Sequence, residues 1–253
     1  MIQFIYILLA TIVIIFVSLI GVIFAWKKLE HWVEKNLHHL VSFSAGVFLI
    51  VAINVGVEAF ELSYSITIII LSITLGILLM YLISKLFPEG HHHHHKNETE
   101  PHTRVGAEKM LLGDAIHNIA DGILLVPAFA IDLRLGIITT IGILIHELVQ
   151  EISEFFVLKE AGYSNKQALW KNFIISTTIL IGVLIGYFLS SIEILIGPLL
   201  GLASGSFLYI VFVDLIPQSI TYSKEERAYF QYAIWAILGI IIILAINYLS
   251  NHL

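Results

Sequence analysis

The chain has 253 residues, of which 58% are hydrophobic and only 13% charged, with a formal net charge of −6 and no cysteine. A soluble domain carries about 25% charged residues, so a water-facing globule is excluded, and so is a disordered chain. Without cysteine there is no disulfide framework and no thiolate metal site, and the negative charge argues against a nucleic-acid partner.

A membrane-spanning helix needs about 20 apolar residues. Eight segments supply them: 2–26, 40–62, 66–87, 109–131, 135–158, 172–190, 192–220 and 229–248. The first lacks a basic leader and its apolar run is too long for a cleaved signal peptide. No stretch alternates apolar and polar residues over tens of positions, so a strand barrel is not expected. The expectation is an all-α integral membrane protein, one transmembrane domain over residues 1–253 embedded in a lipid bilayer. Pro127 within the fourth segment is expected to kink that helix.

The cations are distributed unevenly. Twelve of the 13 Lys and Arg fall in, or at the borders of, the connections after segments one, three, five and seven. Arg134 stands alone between segments four and five. The positive-inside rule then puts the odd connections in the cytoplasm and both termini outside, with the plasma membrane as the expected location. The third connection, about 88–108, is polar and low in complexity. It holds His91, His92, His93, His94, His95 and His102, and reads as a disordered, metal-collecting cytoplasmic loop. A five-residue similarity links Ala45-Gly46-Val47-Phe48-Leu49 in segment two with Ser204-Gly205-Ser206-Phe207-Leu208 in segment seven. An odd number of spans separates them, so they would run in opposite directions, as in inverted-repeat transporters. Small residues at helix contacts explain the likeness equally well.

The segments hold essentially no Lys or Arg away from their ends, yet they hold acids. Burying a carboxylate at mid-membrane costs about 2.5–3.5 kcal/mol on insertion scales. Here the acids are expected to lack basic side chains as partners, which leaves protonation or a cation from outside the sequence. At 100° per residue, Asp114, His117, Asn118 and Asp121 share an arc of about 100° on segment four. On segment five, His146, Glu147, Gln150, Glu151 and Glu154 share an arc of about 140°. Of the 12 His, only His117 and His146 lie within these segments. A short connection makes segments four and five antiparallel neighbours, so the stripes face each other. Imidazole, carboxylate and amide together suit zinc, iron, manganese, nickel or cobalt better than calcium or magnesium. Polar residues acting as hydrogen-bond glue, and a proton relay, are the other readings of such groups. Glu58 and Asp214, single acids on segments two and seven, are candidates for a transport pathway with Asp114 and Glu154.

Two motifs carry a resemblance. His117-Asn118-Ile119-Ala120-Asp121-Gly122 and His146-Glu147-Leu148-Val149-Gln150-Glu151, with its continuation to Ser164, resemble the ZIP family of divalent-metal transporters. The second motif resembles the subfamily with a His-Glu-x-Pro-His-Glu core. Residues 208–217 and 42–46 are similar to that family too, so the likeness extends over nearly the whole chain. The resemblance implies a 3+2+3 bundle of eight helices with an inverted repeat and a two-metal centre at mid-membrane. His117, Asp121, His146 and Gln150 would form the primary site. Asn118 and Glu147 would form the neighbouring one, with Asp121 or Gln150 shared and Glu151 beside them. It implies metal movement toward the cytoplasm. The ion is substrate, with no cofactor: zinc foremost, or cadmium, iron or manganese. The chain departs from the family pattern at several positions. Gln150 stands for the second His, Val149 for the usual Pro, Asn54 and Val57 for a His and a Pro before Glu58, and Gln218 for the Glu after Pro217.

The leading expectation is therefore a metal importer and not an enzyme. The alternatives are an intramembrane metal-dependent hydrolase and a membrane-anchored metal sensor. The hydrolase pattern His-Glu-x-x-His is broken at Gln150. Small-residue faces permit a homodimer.

Overall fold

In the computed structural model, which describes residues 2–17, 19, 27–62, 65–87 and 103–250, the apolar runs are helical and no strand occurs among those residues. The helices are α1 (Ile2–Val17), α2 (Lys27–Leu62), α3 (Ile66–Leu86), α4 (Arg104–Ile131), α5 (Leu133–Glu160), α6 (Asn165–Ser176), α7 (Ile179–Ser190) and α8 (Glu193–Tyr209). A π-helical turn (Ile210–Leu215), α9 (Ile216–Glu225) and α10 (Tyr229–Ser250) complete the order. Among the described residues, seven stretches are long and apolar enough to cross a membrane, α6 with α7 and α8 with α9 counting as one each, and α1 is a shorter apolar helix. The expected first span is thus described only to Val17, and its residues 20–26 lie outside the described residues. So do His91 to His95 and His102.

Local chemistry sets several helix ends. Thr103 accepts a hydrogen bond from the Gly106 amide at 3.1 Å and caps α4. Asp132 accepts from the Leu135 amide at 2.6 Å, so α5 starts one residue after α4 stops. Gly162, at φ +85°, ends α5 in the left-handed conformation that glycine adopts without a Cβ clash. The Tyr163 amide then reaches back to the Leu158 carbonyl at 3.0 Å. Ser164 and Gln167 form a reciprocal capping box that begins α6.

Two expected spans differ. α2 starts at Lys27 rather than at residue 40, because polar residues ended the expected span while nothing in 27–39 breaks a helix. The apolar part of α2 runs from Asn36, so His38 and His39 join His117 and His146 on spanning helices, against the expectation of two. The sixth span is interrupted at Thr177–Thr178, where Thr178 Oγ1 bonds the carbonyls of Ile175 at 2.7 Å and Ala115 at 3.0 Å. By contrast, α4 passes through Pro127 as one unbroken helix.

Glycines weld the helix pairs. A Cβ on Gly182 would lie 2.0 Å from the Ile119 carbonyl oxygen, and one on Gly122 would lie 2.2 Å from that of Ile179, so α4 and α7 touch backbone to backbone. The two segments of the five-residue similarity occupy matching places. Gly46 abuts the Ala236 carbonyl on α10, and Gly205 abuts the Ile73 carbonyl on α3, each with 2.0 Å for a Cβ. The reciprocal contacts match as well: Gly239 on the Phe43 carbonyl at 2.3 Å and Gly76 on that of Leu202 at 2.2 Å. Between them Phe48 and Phe207 meet edge to face, centroids 5.1 Å apart. Ser204 Oγ donates to the Ala52 carbonyl at 2.9 Å, so α2 and α8 run in opposite directions. Small residues here form a structural seam at both places.

The seam makes a prediction. Gly182→Ala is expected to cost about 1–3 kcal/mol, because both clashing partners are backbone and neither can swing away. Gly106→Ala, whose Cβ would meet only Thr103 Oγ1 at 3.4 Å, is expected to change little. Thermal unfolding of the two purified variants in detergent checks this; equal melting temperatures would refute the seam.

Candidate metal centre

The nine polar residues of the two stripes are all buried, none more than 5% exposed, so the stripes face the interior of the bundle and neither lipid nor solvent. Within this pocket His117, Asp121 and Glu147 each direct one ligand atom into a common space, the atoms lying within 4.8 Å of one another. His117 and Asp121 stand one turn apart on α4, with Nε2 and Oδ2 3.7 Å apart. The His146 ring lies 5.2 Å from the His117 ring, centroid to centroid, and packs on Phe48 at 5.0 Å. Among the described residues, neither ring nitrogen of His117 has a hydrogen-bond partner. A buried imidazole with both nitrogens unsatisfied is costly, and an ion bound there would relieve it.

The sequence resemblance assigned Glu147 to the neighbouring site; the geometry groups it with His117 and Asp121. Asn118 and Gln150 turn their amide nitrogens toward Asp114. Asn118 Nδ2 donates to Asp114 Oδ1 at 2.9 Å and to its carbonyl at 3.1 Å. Gln150 Nε2 donates to Asp114 Oδ1 at 2.5 Å and to Glu154 Oε1 at 3.2 Å. Glu151 faces α6: Ser176 Oγ donates to its carboxylate, and Asn172 Nδ2 donates to its carbonyl at 3.1 Å. Asn172 and Ser176 were not singled out in the sequence. Their signal was present, two polar residues four apart opening an apolar segment.

Two pathway candidates are less deeply buried than this pocket. Glu58 is only partly buried and pairs with Arg134 at 3.8 Å. That corrects the expectation that the intramembrane acids lack basic partners: Arg134 follows the Asp132 cap of α5, and α2 ends beside it. Asp214 sits in the π-helical turn with intermediate burial. Such turns often mark functional positions.

At the other end of α2, the His38 ring stacks on Tyr222 at 3.6 Å and its Nδ1 lies 3.2 Å from Glu226 Oε1. Burial is the largest single influence and acts to raise the Glu226 carboxyl, but hydrogen bonds to His38 and Tyr232 together with the charges of His38 and His39 outweigh it, and the pKa falls below the ordinary carboxylate value.

Comparison with known proteins fits this geometry. Residues 84–247 match the family model described as ZIP zinc transporter. The chain is 34% identical to the human zinc transporter ZIP4 over 117 residues, which is 46% of this chain and 18% of that protein. It is 36% identical to the mouse zinc transporter ZIP10 over 113 residues, 43% of this chain and 13% of that protein. Against the metal cation symporter ZIP14 of Xenopus tropicalis it is 34% identical over 116 residues, 46% of this chain and 25% of that protein. The chain thus covers a quarter or less of the length of each of these relatives. The family match begins at residue 84, short of the nearly whole-chain likeness expected. α1, α2 and nearly all of α3 are outside it. The match does take in both motif-bearing helices and the whole of α6 to α9; the chain belongs to the ZIP zinc transporter family.

Proposed function

We propose that this chain carries divalent transition-metal ions, zinc foremost, across the membrane into the cytoplasm through a binuclear centre between α4 and α5. Cadmium, iron and manganese are the further substrates to test. The observation that carries the reading is the buried convergence of His117, Asp121 and Glu147 at the centre of a bundle of apolar helices. His146, Asn118, Gln150 and Glu151 complete the ligand set. Glu58 and Asp214 serve toward the mouths, and Asp114 and Glu154 on the cytoplasmic side. The full arrangement is a single domain of eight spanning helices in a 3+2+3 inverted repeat, with α1 as the first and both termini outside the plasma membrane. The His-Glu-x-Pro-His-Glu subfamily is the branch we assign it to, and a homodimer is its proposed assembly. The loop at 88–108 collects metal on the cytoplasmic side through its six histidines.

The chemistry follows from the ligands. A hydrated ion sheds water to His117, Asp121 and His146, and the neighbouring Asn118, Glu147 and Glu151 hold a second ion or pass the first onward. Binding has to stay moderate, because an ion held too tightly does not leave. A carboxylate-rich site with two imidazoles and no thiolate meets that requirement. Alternating access moves one group of packed helices against another. The glycine-welded pairs α4–α7, α2–α10 and α3–α8 are units that such a motion would keep intact.

The test is metal influx into proteoliposomes holding a trapped fluorescent indicator, with zinc, cadmium, iron(II) and manganese offered in turn. Saturable influx is the expected result. Folded, inserted protein that moves none of them would overturn the carrier reading and turn attention to binding without transport.

A further inference from the structure

We infer that Asp114 is a positioning residue that clamps two amides, one from each central helix, so that both turn their carbonyl oxygens into the metal centre. This rests on the carrier reading above and gives Asp114 a role other than a charge along the pathway. The carboxylate offers only acceptors, so an amide facing it has to present its NH2 group. Asn118 on α4 places both amide hydrogens on Asp114, one on the carboxylate and one on the backbone carbonyl. Gln150 on α5 places one on Asp114 and the other on Glu154. Each amide has spent both donors, and its orientation is fixed. The carbonyl oxygens are left over. Asn118 Oδ1 and Gln150 Oε1 are buried and, among the described residues, accept no hydrogen bond. Both sit on stripes that hold His117, Asp121 and Glu147.

The clamp matters because an amide is nearly symmetric in shape. Rotated by half a turn it fills the same space but presents hydrogens, which repel a cation, in place of an oxygen that binds one. Asp114 removes that ambiguity for Asn118 and Gln150 together, so one carboxylate prepares a ligand for each half of a binuclear centre. Groups that orient metal ligands in this manner are worth about 10–100-fold in metal affinity. Glu154 is the second, weaker anchor on Gln150, its bond being longer.

The experiment is a metal-affinity cycle on the full chain in detergent, read by titration calorimetry with Zn2+ alone and Mn2+ alone. Asp114→Asn is expected to weaken binding by about 10-fold, since a neutral amide at 114 can no longer dictate which face its neighbours show. Manganese affinity is expected to fall more than zinc affinity, because the lost ligands are oxygens and the imidazoles that zinc favours remain. In a Gln150→Leu background, which has one amide fewer to orient, Asp114→Asn is expected to cost markedly less than in the parent. An equal cost in both backgrounds, or an equal loss for the two metals, would overturn the clamp and make Asp114 a direct charge on the ion. If Asp114→Asn fails to fold, Glu154→Gln goes through the same cycle and is read in the same way. Parent protein that binds neither metal would overturn the carrier reading; a parent that binds, with an additive cycle, overturns only the clamp.

Discussion

Asp121→Ala is expected to abolish saturable metal influx while leaving the protein folded and inserted. Asp121 is one turn from His117 on α4, buried to 2% exposure, and shares its ligand space with Glu147 on α5. It contributes charge that offsets an incoming dication and an oxygen within 3.7 Å of the His117 ring. Alanine removes both and leaves a space among polar side chains that water would have to fill. The loss in metal affinity is expected to reach at least about 100-fold, beyond the usual cost of disturbing a group that only orients a ligand. Influx into indicator-loaded proteoliposomes and metal titration in detergent measure it together. Asp121→Asn, which keeps the volume and one oxygen, is expected to fall between the two. Undiminished saturable influx through Asp121→Ala would move the transport site away from α4 and α5.

That pocket was legible in the sequence because helical geometry alone fixes which side chains share a face. Asp114, His117, Asn118 and Asp121 had to line one side of α4 wherever its neighbours lay, and burial of every one of them follows from the bundle closing over that side. Periodicity along one helix says nothing about contacts between helices. Ser176 and Asn172 reach Glu151 from α6, and Arg134 reaches Glu58 from the start of α5; each residue is visible as a polar position, but the sequence does not say which partner it meets. Nor did composition mark the start of α2. The polar stretch before Asn36 lowers hydropathy but continues the helix, so the expected span opens only at residue 40 and leaves His38 and His39 out. The glycines present a different case. Gly46 and Gly205 stood out as a faint similarity, with small-residue packing as the rival explanation. The packing reading holds, since each glycine abuts a carbonyl of a neighbouring helix.

Gln150→His is expected to raise zinc affinity by about 10–100-fold and to shift the metal ranking from manganese toward zinc. The amide now at 150 lies between Asp114 and Glu154 and can offer an ion only Oε1, a neutral oxygen. An imidazole in its place can donate one ring N–H to Asp114 and turn the other nitrogen to the metal, the carboxylate–imidazole–metal arrangement that raises ligand basicity. Borderline metals such as zinc gain more from nitrogen than manganese does, so the two affinities separate. Transport responds in the opposite sense. A tighter site releases its ion more slowly, so the maximal zinc flux of Gln150→His falls while its half-saturating concentration drops. Concentration series for zinc and manganese in proteoliposomes give both quantities for both metals. A zinc-to-manganese ratio unchanged by the substitution would mean that residue 150 does not touch the ion. The amide at this position then would have no part in the breadth of selectivity, and the ligand set would reduce to His117, Asp121, His146 and Glu147, with the departure from the family motif at Gln150 a matter of packing against Asp114 and Glu154 alone.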